Sequence, residues 1–260
     1  MTNDLNIQYV DSLDRGLSYA ESCFETFRIV DNSIFDWHYH WQRLQHGLHS
    51  FGIVLHHKQQ QHIQQQCLDA AKHISVDCLL RLTISGGDAA WGLQQTATPN
   101  VFIQAQTFQT QTTAIHLQCV EFPFPLMPKI AKFSSDYALA LRAAQSWNLD
   151  SFNTALVCKN GLILAGFTAN IALYVDEQWL TPQGDGILKG TIRQFLMDKQ
   201  HIQPASCPTT MLQHIQAAVL LNSGSFLQVI HSIDGKPLDT LHPAITGLKQ
   251  CLQNQQGIQL

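Results

Sequence analysis

Charge is what this 260-residue sequence has least of. Asp, Glu, Lys and Arg make up only 13% of it, about half the usual share, and leave a formal net charge of −4. A chain with no basic excess has no electrostatic footprint for nucleic acid, and none is expected as a partner. Near-neutrality also gives little colloidal repulsion, which favours self-association. No apolar stretch approaches the ~18 uncharged residues that a spanning helix requires, so no membrane segment is expected. The opening residues Met1-Thr2-Asn3-Asp4-Leu5 lack both the basic and the apolar region of a secretory signal. Seven cysteines stand singly with no Cys-x-x-Cys, a distribution suited to reduced core thiols rather than bridges or zinc. Thirteen histidines include no His-x-x-x-His pair, so no metal site is expected. A serine hydrolase is disfavoured because no Gly-x-Ser-x-Gly elbow occurs. The expectation left standing is a cytoplasmic protein.

What the sequence does contain is enough apolar residue, 45%, to bury one large core or two small ones. Ser22 to Val30 alternates as a strand, with Cys23, Glu25 and Phe27 on one face and Phe24, Thr26 and Arg28 on the other. Asp31-Asn32-Ser33 is turn chemistry, and Ile34-Phe35 would begin the return strand of a hairpin. His40, Leu44, Leu48 and Phe51 recur at helical spacing, and His56 to His73 is a Gln-rich helix with Ile63, Cys67 and Ala70 as its stripe. Leu79 to Ile84 and Val101 to Ala105 read as strands. The stretch Gln109 to Thr113 has almost no apolar content and is taken as the junction between two domains, residues 1–110 and 111–260. In the second half, strands are expected at Ile115 to Val120, Thr154 to Cys158, Leu162 to Leu164, Ile171 to Val175, Ala217 to Leu221 and Leu227 to Ile230. Helices are expected after the capping residues Ser134, Ser135 and Asp136, from Thr191 to Lys199, and near Ile245 to Leu252.

Two segments carry chemistry. Lys132 directly precedes a helix start and follows a proline-bent apolar segment, Phe122 to Pro128. An amine desolvated beside the positive end of a helix has a lowered pKa and can attack a carbonyl as the free base. Lys129 and Lys189 compete for that role. Downstream, Gly184-Asp185-Gly186-Ile187-Leu188-Lys189-Gly190-Thr191 opens a helix whose first N–H groups need partners, and a phosphate suits them. A plain glycine turn is the equally good alternative. Asn222-Ser223-Gly224-Ser225 is a second hydroxyl-rich turn after a strand.

In order along the chain, Tyr19-Ala20-Glu21-Ser22-Cys23-Phe24-Glu25-Thr26-Phe27-Arg28, His40-Trp41-Gln42-Arg43-Leu44, Lys132, Ala165-Gly166-Phe167-Thr168-Ala169-Asn170-Ile171, Leu180-Thr181-Pro182, Gly190-Thr191-Ile192-Arg193 and Asn222-Ser223 resemble the class-IV (fold type IV) pyridoxal-phosphate enzymes. That group includes branched-chain and D-amino-acid aminotransferases and aminodeoxychorismate lyase, and the Cys-Phe-x-Thr strand and chain length lean toward the lyase. The resemblance implies an α+β fold, with a small α/β domain and a larger domain built on a barrel-like mixed sheet, and it implies a homodimer. It implies pyridoxal 5'-phosphate as cofactor, with Lys132 joined to it and shuttling protons. Arg43, the backbone of Thr191 and Ile192, Ser223 and the adjoining Asn222 would hold its phosphate, and Leu188 would lie against its ring. Phe24 and Thr26 would face the substrate.

Two departures stand out. The family's glutamate beside the pyridine nitrogen falls at Ala165, and a lyase-like pair of arginines falls at Gly86 and Trp91 within Ser85-Gly86-Gly87-Asp88-Ala89-Ala90-Trp91-Gly92. The resemblance thus leaves three readings: a lyase releasing pyruvate from 4-amino-4-deoxychorismate, a transaminase of a small amino acid, and a divergent member that serves as a binding module.

Overall fold

The computed structural model describes residues 13–74, 77–93, 97–109, 113–149 and 154–256. The expected junction at Gln109 to Thr113 lies mostly outside them. The first half forms a four-stranded sheet in the order β2-β1-β3-β4, from β1 (Ser22–Val30), β2 (Ser33–Ile34), β3 (Asp77–Ser85) and β4 (Asn100–Thr107). All its pairings are antiparallel. A short α1 (Arg15–Tyr19) leads into it, and α2 (Trp37–Ser50) and α3 (His57–Lys72) follow the hairpin.

The period-2 pattern of β1 and β3 sorts their side chains between two faces. Cys23, Phe27, Ile29, Cys78, Leu80, Leu82 and Ile84 join Leu44, Leu48, Ile63 and Cys67 of the two helices in one core. The opposite face carries Phe24 across from Thr83, and Thr26 across from Arg81. Gly47 lets α2 approach β1, because a Cβ there would stand 2.6 Å from both Cys23 Sγ and Ala131 Cβ.

The second half builds a larger mixed sheet. Its strands are β5 (Ile115–Glu121), β6 (Thr154–Lys159), β7 (Leu162–Gly166), β8 (Asn170–Val175), β9 (Gln178–Pro182), β10 (Gln203–Ala205), β11 (Ala217–Asn222), β12 (Phe226–Ile233) and β13 (Lys236–Pro237). The order is β10-β9-β8-β11-β12-β5-β6-β7, with β13 on β12. The β10/β9, β12/β5 and β5/β6 pairs are parallel and the others antiparallel. The sheet curls back on itself, and Gly166 at the end of β7 bridges Ala169 just before β8. Alternation along β8 and β11 divides two cores. Ile171, Leu173, Ala218 and Leu220 point one way, while Ala172, Val219 and Leu221 point toward Phe195, Leu196 and Ile245. Those last residues lie on α5 (Thr191–Asp198) and α6 (Pro243–Gln256). α4 (Ser134–Ala144) stands beside β1.

The two halves interlock through Phe35, between β2 and α2. Its ring packs 5.2 Å from Phe195 and 5.2 Å from Phe226 in the C-terminal core. No helix among the described residues is long and apolar enough to cross a membrane. Sequence reading missed α1, β9, β10 and β13, all of them five residues or shorter. It also assigned the cap of α4 wrongly: the N-cap is Phe133, which has no side-chain acceptor, and the Ser134 hydroxyl instead meets Ser22 Oγ at 2.6 Å.

Candidate active site

A cavity of about 280 Å³ opens between α2, α4, α5 and the larger sheet, close to the small end of known ligand pockets. Arg43, Lys132, Leu188, Thr191, Ile192, Asn222 and Ser223, seven residues far apart in the sequence, all line it. Its remaining walls come from α4, including Asp136 and Tyr137, and from the segment Ala165 to Asn170.

Lys132 is fixed by its backbone. The Phe24 amide donates to the Lys132 carbonyl at 3.0 Å, and Cys23 pairs with Phe133, so the lysine segment adds to the end of β1. Enclosure by protein lowers the amine's pKa to about 8. Arg43 and Arg81 push the same way, and Glu25 opposes them. A lysine so placed has an appreciable neutral fraction near physiological pH and can act as nucleophile and base. Lys129 also lines the cavity, but its side chain is exposed. Lys189 is exposed and contributes its carbonyl rather than its amine.

The far end of the cavity is made of donors. Gly190 is the N-cap of α5 and supplies no side-chain cap, which leaves the first N–H groups of the helix for another acceptor. Nothing larger than glycine fits at this position, since a Cβ would sit 1.9 Å from Asn170 Oδ1. Asn170 in turn donates to the Leu188 carbonyl at 2.9 Å and holds the turn in place. Thr191 Oγ1 and Ser223 Oγ meet at 3.0 Å. Asn222 organises its own turn, accepting from Gly224 N and Ser225 N at 2.9 and 2.8 Å.

Arg43 completes this end, although its fork is occupied. Nε and Nη2 donate to Glu25 at 2.7 and 2.6 Å, and Nη1 donates to the Lys189 carbonyl at 3.0 Å. One hydrogen on each Nη nitrogen is left for an incoming anion, so a phosphate would meet the outer edge of the guanidinium rather than its bidentate face. Glu25 is 1% exposed. Burial alone would raise its pKa, but the charge and hydrogen bonds of Arg43, helped by His40, bring it down to about 2. An ionised carboxylate only accepts, so His40 donates from Nδ1, 2.7 Å away, and its bare Nε2 finds no partner among the described residues. Burial lowers the His40 pKa despite Glu25, which keeps the ring neutral.

Of the expected substrate residues, Phe24 stands behind Lys132 and packs edge-on against Tyr137, with ring centroids 5.0 Å apart. Neither Phe24 nor Thr26 belongs to the cavity wall. Sequence reading missed Glu25 and Tyr137 as site residues. The signal for Glu25 was present: a carboxylate on the core-facing side of an apolar strand must find a cation. Tyr137 lies in the first turn of α4, shortly after Lys132, and nothing in the sequence pattern sets it apart.

Ala165 lines the cavity and brings no charge to it. Gly86 and Trp91 do not reach the cavity; Trp91 is 80% exposed.

The sequence profile described as Amino-transferase class IV matches residues 22–233. No curated protein matches the chain. A structure from Legionella pneumophila, provisionally described as a 4-amino-4-deoxychorismate lyase, is 21% identical over 98% of each chain with a TM-score of 0.80. The 4-amino-4-deoxychorismate lyase of Pseudomonas aeruginosa is 16% identical over 97% of each chain, with a TM-score of 0.79. A hypothetical aminotransferase from Mycobacterium tuberculosis in its PLP-bound form is 16% identical over 98% of this chain and 95% of its own, with a TM-score of 0.76. At these identities the structures establish the shared fold. The profile match takes in both sheets apart from the short β13, and every wall of the cavity, and the chain thus belongs to the class IV aminotransferases, a fold type IV family of pyridoxal 5'-phosphate enzymes.

Proposed function

We propose that the chain is a pyridoxal-phosphate lyase that converts 4-amino-4-deoxychorismate to 4-aminobenzoate and pyruvate, a step of folate biosynthesis. The observation that carries the reading is the Lys132 amine, its pKa lowered to about 8, in one cavity with the α5 N-terminus, Ser223 and Arg43. The donor set suits a phosphorylated aldehyde at both of its ends. Lys132 would carry the aldehyde carbon. The amides of Thr191 and Ile192, the Ser223 hydroxyl and the outer edge of Arg43 would hold the phosphate. Leu188 would border the ring, and Asn222 would keep the Ser223 turn in shape.

The cofactor supplies an electron sink for the bond-breaking carbon. The chain supplies the proton handling. Lys132 Nζ would take the proton from the ring carbon that bears the amine. The enolpyruvyl C–O bond then breaks, a proton goes to the departing fragment, and pyruvate leaves an aromatic amine behind. Among the described residues Asp136 is the only carboxylate in the cavity wall, and the segment at Ala165 has none to keep a pyridine nitrogen protonated. A weaker sink hurts transamination most, whereas aromatisation drives the lyase reaction, and this favours the lyase over a transaminase of a small amino acid. It also speaks against a mere binding module, which would have no use for a lysine of lowered pKa.

The same reading includes two domains, residues 1–110 and 111–260, meeting at the cavity, and a cytoplasmic homodimer. Trp91 and Leu93, 80% and 82% exposed, are apolar surface of the kind that a second copy covers. The deciding experiment incubates the cofactor-loaded protein with 4-amino-4-deoxychorismate and follows pyruvate. Release of pyruvate is expected; amine transfer that depends on an added keto acid would assign it as a transaminase instead. A colourless protein with no borohydride-reducible adduct at Lys132 would remove both readings, and light scattering at monomer mass would remove the dimer.

A further inference from the structure

Asp136 brings the one carboxylate that the described residues place in the cavity wall, and the lysine chemistry leaves it without a task. It sits in the first turn of α4, where an aspartate ordinarily complements the helix dipole or bonds back to the free N–H groups. This one makes no such bond. Its carboxylate forms no ion pair and no side-chain hydrogen bond among the described residues. It is half-buried, with Tyr137, Ala140 and Leu141 of the same helix as neighbours in the wall. Burial raises its pKa, and the charge of Lys129, on the segment before α4, only partly offsets that. Its own charge is felt by Tyr137 beside it and by Cys23 of β1. Lys132 answers instead to Arg43, Glu25 and Arg81. The cavity thus holds two proton-handling groups of opposite type, not paired with each other: an amine moved down and a carboxyl moved up, both toward neutral pH.

Breaking the C–O bond of an enolpyruvyl ether leaves negative charge on oxygen, and a positioned acid removes that cost. Lys132 Nζ takes the proton from the ring carbon that bears the amine, and the electron pair of that C–H bond ends as a ring double bond. The C–O pair leaves on oxygen, which takes up a proton, and the enol so formed rearranges to pyruvate. We propose that Asp136 is a second catalytic residue, the acid that gives its proton to that departing oxygen. The assignment rests on the lyase reading and adds to it a donor for the second proton. Asp136 leaves the step as a carboxylate and is reprotonated from water. The substrate's own carboxylates help to load the acid, since a like charge raises a neighbour's affinity for protons.

The test gives 4-amino-4-deoxychorismate to the full-length, cofactor-loaded protein in deuterium oxide and reads two steps. Mass spectrometry of recovered substrate reports deuterium entering at the ring carbon that bears the amine, which is the work of Lys132. A coupled assay reports pyruvate. Asp136→Asn is expected to exchange at least as fast as the parent while releasing pyruvate about 10²-fold more slowly, the low end of what a positioned acid contributes. Asp136→Glu should recover part of the loss. Undiminished pyruvate release in Asp136→Asn would overturn the proposal. Exchange and release falling together would overturn it too, by making Asp136 a structural residue of α4. A second readout needs no turnover: on the cofactor-free protein, the infrared difference between parent and Asp136→Asn should show a carboxyl that titrates above the ordinary aspartate range. Titration within that range would count against the acid as well. Should Asp136→Asn not fold, Asp136→Ser takes its place with the same expected outcomes. The lyase reading fails separately: a parent protein that releases no pyruvate sinks the reaction, and the acid with it, before any variant is compared.

Discussion

The two walls of the cavity are built by opposite means. The end of the cavity at the α5 N-terminus is rich in polar groups, each held by another: Glu25 and the Lys189 carbonyl hold Arg43, Asn170 holds the Leu188 turn, and Thr191 holds Ser223. The wall from Ala165 to Ala169 has no ionisable side chain at all. On the proposed reading, the contrast means that the chain would hold its cofactor by preorganised donors and make modest demands on its electronics. That is a sensible division for a reaction whose product gains aromaticity.

The comparison breaks most severely if its reactive group is misplaced. Lys132→Ala is expected to abolish the borohydride-reducible adduct and to lower turnover by at least ~10²-fold, the low end of what a positioned base contributes. Retained turnover would move the chemistry to another lysine. Next in size is the support of the polar wall. Arg43→Met strands Glu25 in the core and is expected to destabilise the protein by about 3–5 kcal/mol, seen as a lower denaturation midpoint. Adding Glu25→Gln should restore much of that loss, and a double variant no better than the single would show that the pair is not the cause. Because Glu25 titrates near 2 rather than 4.5, its pairing is expected to stabilise the fold at neutral pH and to be lost only as pH falls from the ordinary glutamate range toward 2.

A pH series sharpens the lysine's side of the contrast. Only the neutral amine attacks an aldehyde, so capture of added pyridoxal phosphate by the cofactor-free protein should accelerate up to about pH 8 and then level off. An ordinary lysine would keep accelerating toward 10.5. Stopped-flow absorbance distinguishes the two. The smallest effect tests the uncharged wall. Ala165→Glu is expected to raise keto-acid-dependent amine transfer by a few fold relative to pyruvate release. No change in that ratio would mean that the ring nitrogen is already served by another group.

Much of this was legible before any coordinates, and the reason is physical. The alternation of β1 and the stripe of α3 are local patterns, and burial of one face makes them unambiguous. The lysine before α4 and the glycine turn before α5 are likewise local, since helix termini advertise their unpaired groups in the sequence. Contacts between distant segments were not legible. That Arg43 spends its fork on Glu25 depends on how α2 is set against β1, and periodicity says nothing of it. The cap of α4 failed for a related reason, because Ser134 found a better partner in Ser22, more than a hundred residues away.

The hydrogen bond from the Phe24 amide to the Lys132 carbonyl ties the lysine segment to the first strand of the opposite half. A chain in which only one half has matured cannot present the amine in its low-pKa setting. The yellow colour of the bound vitamin would therefore serve as a built-in gauge of whether both halves have matured together. In mild urea that colour should fade before the circular-dichroism signal of the helices does.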